Sequence, residues 1–265
     1  MATRGSIRLD VALVARGLAP SREKAQRLIL AGQVRVGGHK AAKPSQPVRE
    51  NDVVEVVERE KYVSRGGLKL EHALHYFGVE VAGRVAVDLG ASTGGFTDCL
   101  LQHGAARVYA VDVGTGQLAW KLRQDARVVV REGTNARYLQ PADLGPEFAG
   151  ADLVVIDCSF ISLRKILPAA VRVARAGAGI LALVKPQFEA GKAEADRGAG
   201  VIRDPAIHER VLRELADFVA GQGNLRWRGL TESPILGPAG NKEFWVWLEN
   251  ESAQNPTGGA AGQPG

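Results

Sequence analysis

The chain has 265 residues, 45% hydrophobic and 24% charged, which suits a folded protein with a real core and room for one large domain or two smaller ones. No apolar run approaches the ~18 residues of a bilayer span, and Arg8, Asp10 and Arg16 interrupt what would be a signal-peptide core, so a cytoplasmic protein is expected rather than a secreted or membrane-spanning one. The net charge of +5 is concentrated at one end: residues 1–64 carry 12 Lys/Arg and 7 Asp/Glu (12 − 7 = +5), residues 65–265 carry 22 of each, and residues 1–49 alone reach 10 − 2 = +8.

A neutral body with a basic head points to a polyanionic partner. Within the head, Leu9, Ala12 and Leu13 share a helical face that stops near Gly17. Ser21 is placed to cap a second helix, with Glu23 in its first turn, Ala25, Leu28 and Ile29 on its buried face and Gly32 at its end. Val34-Arg-Val36 before Gly37-Gly38 reads as a strand and turn, and Asp52–Val57 as another strand. The stretches Arg8-Leu-Asp, Ser21-Arg-Glu-Lys-Ala-Gln-Arg-Leu-Ile and Ala31-Gly-Gln-Val-Arg-Val-Gly-Gly resemble the ribosomal-protein-S4-type RNA-binding domain over residues 7 to about 57. That resemblance implies that Arg8, Arg22, Lys24, Arg27, Arg35 and Lys40 face structured RNA, where they would neutralise phosphates and read shape more than sequence.

The expected division is a small α+β RNA-binding domain at 1–60, a connector at 61–67, an α/β domain at 68–249 and a disordered tail at 250–265, polar and rich in Gly, Pro and Ala. Ser64 is expected to cap a helix over 68–77 with Leu70, Leu74 and Phe77 on one stripe and Lys69 off it. Val85-Ala-Val-Asp-Leu-Gly-Ala-Ser-Thr-Gly-Gly-Phe96 then reads as strand, glycine turn and helix. Asp112 closes the next apolar run 24 residues after Asp88, the spacing at which a nucleotide fold grips a ribose. Strands are expected at 107–112, 127–131, 152–157 and 179–185, and helices near 117–124, 162–175 and 205–220, the last opened by Asp204-Pro205. Segments 225–231 and 243–248 leave no room for a helix between them and are expected as an antiparallel hairpin at one sheet edge. The whole predicts a Rossmann-like α/β domain with a mostly parallel sheet, closer to a methyltransferase than to a dehydrogenase. The two cysteines, Cys99 and Cys158, lie in apolar runs and read as buried thiols.

In open α/β sheets, ligands bind beyond the carboxyl ends of the strands. Asp157 ends one apolar run, Lys185 ends another, and Glu243 starts the last strand. A lysine directly after five apolar residues is either paired or functional, because a buried charge is costly unless paired. With Lys69 they make two lysines and two carboxylates around one expected pocket. This set resembles the Lys-Asp-Lys-Glu tetrad of FtsJ-like ribose 2′-O-methyltransferases. The chain as a whole resembles the TlyA family, also called haemolysin A, through Val63-Ser-Arg-Gly-Gly-Leu-Lys69, Gly90-Ala-Ser-Thr-Gly-Gly-Phe96, Thr134-Asn-Ala-Arg137, Asp157-Cys-Ser-Phe-Ile-Ser162, Val184-Lys-Pro-Gln-Phe-Glu189 and Gly240-Asn-Lys-Glu-Phe244.

The resemblance covers about residues 7–249 and implies methylation of rRNA cytidines, in 16S or 23S rRNA or both, on ribosomal subunits, from S-adenosylmethionine. It implies no metal and no membrane partner. Lys69, Asp157, Lys185 and Glu243 would be catalytic. Lys185 would act as the base for the 2′-hydroxyl with Lys69 as a second cation, since a lysine can accept a proton only where its charged form is disfavoured. Asp88, Gly90, Ser92, Thr93, Gly94, Gly95 and Phe96 would line the methionine side of the cofactor, Asp112 its ribose and Asn135 its adenosine side, with Val113 a further cofactor contact. Thr115, Gly133 and Cys158 depart from the family pattern, where Tyr, Arg and an aliphatic residue are usual; none touches the tetrad. Rival readings are a membrane-active haemolysin, a non-catalytic ribosome-binding factor and a nicotinamide enzyme.

Overall fold

The structure, a computed structural model, describes residues 5–57 and 61–251. The chain divides into two compact units, Met1–Glu60 and Lys61–Gly265.

In the first unit, β1 (Ser6–Arg8) leads into α1 (Leu9–Ala15) and α2 (Arg22–Leu30), followed by β2 (Val34–Val36), β3 (His39–Lys40), β4 (Pro47–Arg49) and β5 (Val54–Val56). Ser21 caps α2 as expected, its side chain accepting from Lys24 N at 3.2 Å. β1 pairs with β4, and β3-β2-β5 form a three-stranded antiparallel sheet. The core of this unit is Leu9, Ala12, Leu13, Ala25, Ile29, Val34 and Val48 with a few small neighbours. At its edge Asp10 is fully buried and accepts from Arg8, Arg22 and Gln26. These donors hold its carboxyl well below the usual carboxylate range, the Arg8 bond contributing most.

The second unit begins with α3 (Gly66–Phe77) and builds a seven-stranded sheet. Its elements in order are β6 (Val85–Leu89), α4 (Gly95–Gln102), β7 (Arg107–Val111), α5 (Trp120–Arg123), β8 (Val128–Arg131), β9 (Ala151–Ile156), α6 (Leu163–Val173), β10 (Ala174–Val184), α7 (Pro186–Glu189), α8 (Lys192–Arg197), α9 (Pro205–Gln222), β11 (Leu225–Glu232) and β12 (Phe244–Asn250). Strand order is β11-β12-β10-β9-β6-β7-β8; β10, β9, β6, β7 and β8 are mutually parallel, and β12 and β11 form the expected antiparallel hairpin at one edge. One sheet face packs on α6 and α9 through Ile166, Leu167, Val211 and Leu215; the other packs on α3 and α4 through Leu70, Leu74, Leu100 and Trp245. Strands covered on both faces explain why β6, β9 and β10 read as largely apolar runs, each with a single charged residue, Asp88, Asp152 and Arg175.

Several expectations need correction. Residues 61–67 are not a connector: Tyr62 is buried in the core of the second unit and Gly66 and Gly67 are already helical. Ser64 does not cap α3 with its side chain; the N-cap is Arg65, and the Ser64 carbonyl accepts from Gly67 N. The strand expected to start at 179 starts at Ala174, directly where α6 stops. β12 runs to Asn250, one residue into the expected tail, and residues 252–265 of that tail lie outside the described residues. Cys99 is buried as expected, while Cys158 is half-buried. No helix among the described residues is long and apolar enough to cross a membrane.

Candidate active site

β6, β7, β9 and β10 end on the same edge of the sheet, and the residues just past them build two adjoining cavities. One, about 450 Å³, is lined by Gly90, Ser92, Asp112, Val113, Gln117, Thr134, Asn135, Asp157, Cys158, Ser159, Phe160, Ile161 and Ile166, among others. The other, about 290 Å³, is lined by Ser64, Arg65, Gly66, Lys69, Thr93, Gly95, Phe96, Lys185, Pro238 and Glu243 and shares Gly90, Ser92, Asp157 and Ser159 with the first.

The four tetrad residues meet in the smaller cavity as two ion pairs. Lys69, 7% exposed on the first turns of α3, donates to Glu243 Oε2 at 2.5 Å. Lys185, 8% exposed, lies 2.6 Å from Asp157 Oδ1 and donates to Ser159 Oγ at 2.8 Å. Asp157 is fixed by its own backbone, whose N–H donates to Leu89 O at 2.9 Å. Pro186 follows Lys185 at the first position of α7, stopping β10 so that the lysine emerges at the sheet edge. Glu189 of α7 accepts from the Ser162 hydroxyl and Leu163 N, both at 2.6 Å, and so ties the start of α6 to the segment that carries Lys185. Burial raises the Glu243 carboxyl above its ordinary value, while the Lys69 hydrogen bond opposes the rise. Its second oxygen, Oε1, is buried without a partner.

The glycine turn sits between the two cavities. Gly90 has φ +90, and a Cβ there would stand 2.7 Å from the carbonyl oxygen of Asp157, so only glycine lets β6 and β9 end this close together. Ser92 is held at φ +48, its N–H donating to Asp112 Oδ2 at 2.8 Å; Asp112 Oδ1 accepts from Gly114 N at 2.7 Å. Both carboxylate oxygens are thereby aimed, and each keeps lone-pair capacity for a hydroxyl. Glu132 fastens the same loop by accepting from Gly116 N, Gln117 N and Leu118 N; those bonds, with its Arg123 pair, pull its carboxyl down to about 2 despite some burial.

Two residues expected on the cofactor's methionine side lie elsewhere. Asp88 is fully buried beneath the turn, accepts from Thr97 Oγ1 at 2.7 Å and lines neither cavity. Burial, with the charges of Asp157 and Asp112 nearby, pushes its carboxyl up to about 7. Gly94 packs under the Leu122 side chain and lines neither cavity. Phe96 is 3% exposed, and although it borders the smaller cavity its ring packs on Trp245 at 5.4 Å. Gly90, Ser92, Thr93, Gly95, Asp112, Val113 and Asn135 line the cavities. Burial pushes the Cys158 thiol up to about 12, so it is a wall rather than a nucleophile.

Sequence reasoning missed Ser159, Glu132, Gln117 and Arg65. Ser159 had a usable signal, two residues past a strand-end carboxylate; Glu132, whose role depends on three amides of a distant loop, had none.

Of the expected RNA contacts in the first unit, Arg8 and Arg22 share Asp10, Arg27 pairs with Glu23 at 3.3 Å, and Arg35 donates to Gly38 O at 3.2 Å. Lys24 and Lys40 are exposed and have no carboxylate partner among the described residues.

Residues 62–250 match the FtsJ-like methyltransferase family and residues 7–54 the S4 domain. YqxC of Bacillus subtilis is 51% identical over 246 residues, covering 91% of this chain and 85% of the relative. The 16S/23S rRNA (cytidine-2′-O)-methyltransferase TlyA of Mycobacterium tuberculosis is 49% identical over 249 residues, covering 92% and 90%. A solved structure from Streptococcus thermophilus, named as a hemolysin, superposes with a TM-score of 0.71 at 44% identity, covering 96% of this chain and 92% of that one.

Proposed function

The chain belongs to the TlyA family of FtsJ-like methyltransferases that carry an S4 domain, and from that membership we propose that it methylates the ribose 2′-hydroxyl of cytidines in ribosomal RNA, using S-adenosylmethionine. The observation that carries this reading is the meeting of two Lys–carboxylate pairs, Lys69–Glu243 and Lys185–Asp157, in a cavity that opens into a second one beside the glycine turn.

The residues of the larger cavity suit the cofactor. About 450 Å³ is within the usual range for a small-molecule site. Asp112 offers two oriented oxygens for a ribose, Val113, Ile161 and Ile166 supply apolar walls for a base, and the bare backbone at Gly90 leaves room for close approach. When bound, the cofactor supplies an electrophilic methyl group on a sulfonium. Asp157 and Ser159 hold the Lys185 nitrogen in place, where it would take the proton of the 2′-hydroxyl. Lys69, fixed by Glu243, places a positive charge beside the developing oxyanion.

The S4 unit supplies the phosphate-binding head and delivers the subunit. The reading places the protein in the cytoplasm with ribosomal subunits. A haemolysin would act on membranes; purified protein that leaks liposomes would support that rival. The deciding experiment incubates purified protein with labelled S-adenosylmethionine and separated ribosomal subunits and maps the modified nucleotides. Label at the 2′-oxygen of cytidine supports the proposal, and subunits that bind but take up no label refute it.

A further inference from the structure

The loop that leaves β7, Val113-Gly-Thr-Gly-Gln-Leu118, is poor material for a fixed binding wall. Glycine loses more conformational freedom on ordering than any other residue, and this loop has two. Holding each residue in one backbone well opposes order further. Yet Val113 and Gln117 of this loop line the larger cavity. The group that holds the loop lies outside it: Glu132, the first residue past β8.

Glu132 lines neither cavity, and its side chain is only 15% exposed. Its Oε2 accepts from Gly116 N at 2.9 Å, and its Oε1 accepts from Gln117 N at 3.1 Å and Leu118 N at 3.3 Å. Three successive amides need two acceptor oxygens with spare lone pairs, and an ionised carboxylate is the side chain that has them. Arg123 pairs with Oε1 and closes the clasp, its Nε donating to Leu118 O at 3.0 Å. The next amide, Ala119 N, donates at 3.1 Å to the carbonyl of Thr93, a residue of the tetrad cavity. The clasp also fixes the polar groups around Asp112. Ser92 Oγ donates to Gln117 Oε1 at 3.3 Å, which leaves Gln117 Nε2 as the donor of that carboxamide. A Cβ at Gly114 would stand 2.0 Å from Gln117 Nε2 and 3.1 Å from Asp112 Oδ1, so a bare glycine lets the carboxamide lie beside the carboxylate.

We propose that Glu132 is a positioning residue for cofactor binding: it holds Gly116–Leu118 in the bound shape beforehand, so that Gln117 stands beside Asp112 as a donor to the nucleoside half of the cofactor. The proposal rests on the S-adenosylmethionine reading above. The carboxylate itself lines neither cavity and acts only through the loop. With the clasp in place the loop is ordered on folding and not on binding, the general route by which pre-organisation raises affinity. Loss of the clasp moves the ordering cost to the binding step and leaves the chemical step at Lys185 as it was.

The test compares wild type with Glu132→Ala and with Glu132→Gln, which keeps the shape and one acceptor oxygen. Calorimetry with S-adenosylmethionine should find Kd raised roughly tenfold or more in the Ala variant, the size expected for a hydrogen bond to a charged group. The Gln variant should fall between Ala and wild type, and both should bind with a less favourable entropy. In hydrogen exchange without cofactor, the amides of Gly116, Gln117 and Leu118 should be protected in wild type and exchange quickly in the variants, then regain protection when S-adenosylmethionine is added. Protection in β6 and β9 should not change, which shows that the sheet is intact. Single-turnover methylation with saturating cofactor and subunit should stay within a few-fold of wild type. Variants with a wild-type Kd overturn the proposal, and so does a rate that falls at unchanged Kd, since Glu132 would then serve the chemical step. A raised Kd with the three amides as protected as in wild type also overturns it, because the carboxylate would then act on the cofactor directly. Wild-type protein that binds no S-adenosylmethionine refutes the cofactor reading and the positioning role with it, whereas binding that the variants match refutes the positioning role alone.

Discussion

Lys185 donates a 2.8 Å hydrogen bond to the hydroxyl of Ser159, two residues beyond the carboxylate that it pairs with. The side-chain nitrogen is therefore held from two directions, and the serine helps to decide where it points. Ser159→Ala is expected to lower the single-turnover methylation rate by about tenfold, the lower end for a hydrogen bond to a charged group at a partly exposed site. Ser159→Thr keeps the hydroxyl and should keep most of the rate. Cofactor and subunit affinities should stay within a few-fold of wild type in both. An Ala variant at full rate would show that Asp157 alone positions the lysine.

Asp112 links the glycine turn to the following loop through Ser92 N and Gly114 N. Asp112→Ala should remove both bonds and any ribose contact, weakening cofactor binding by about tenfold or more, since each bond to a charged group is worth about 1.5–3 kcal/mol. Subunit affinity should hold. Calorimetry that finds an unchanged cofactor Kd would take Asp112 out of the site.

For the first unit the pairing pattern ranks the basic residues. Arg27 is partly neutralised by Glu23, while Lys24 and Lys40 have no carboxylate partner among the described residues. Lys24→Ala with Lys40→Ala should flatten the salt dependence of subunit binding more than Arg27→Ala does, by up to about 0.7–0.9 for each phosphate that is no longer neutralised. Equal slopes for the double variant, Arg27→Ala and wild type would place the RNA face elsewhere.

Two buried carboxyls give opposite pH signatures. Asp88 is raised to about 7 by burial, so between about 4, the ordinary carboxylate value, and about 7 the folded state keeps a proton that the unfolded chain has lost. This group therefore subtracts stability as pH rises through that window. Asp88→Asn keeps an acceptor for Thr97 and removes the charge, so its stability advantage over wild type should grow from pH 4.5 to 8. All four tryptophans lie in residues 61–265, and their fluorescence reports this unit alone. A constant difference across the range would contradict the assignment. Asp10 is lowered by its Arg8, Arg22 and Gln26 donors; its contribution is present above the ordinary carboxylate value and is lost as pH falls.

The parallel strands, the terminal hairpin and the placement of Asp157 and Lys185 past strand ends were legible because each depends on local pattern: apolar runs, a glycine turn, and charged residues at strand ends. What was not legible depends on contacts across the chain. Asp88 occupies the strand-end position expected of a cofactor contact, yet Thr97 on α4 draws it beneath the turn. Gly94 looks like part of a ligand cradle and instead makes room for Leu122. Lys69 falls off the apolar stripe of α3, where a solvated residue is the ordinary expectation; only Glu243, 174 residues later, explains its burial. Arg8 and Arg22 read as free cations until Asp10 is seen between them.

The most direct test of the account is single-turnover methylation by Lys185→Ala with saturating cofactor and subunit. Lys185 sits at the junction of the two cavities' chemistry, paired with Asp157 and bonded to Ser159. Removing a general base costs about 10²–10⁴-fold, so the variant should bind cofactor and subunit normally and transfer the methyl group slower by that factor or more. Lys185→Arg should not rescue, because arginine keeps its proton. Methyl transfer by Lys185→Ala within a few-fold of wild type would contradict the account and shift the proton-accepting role to Lys69.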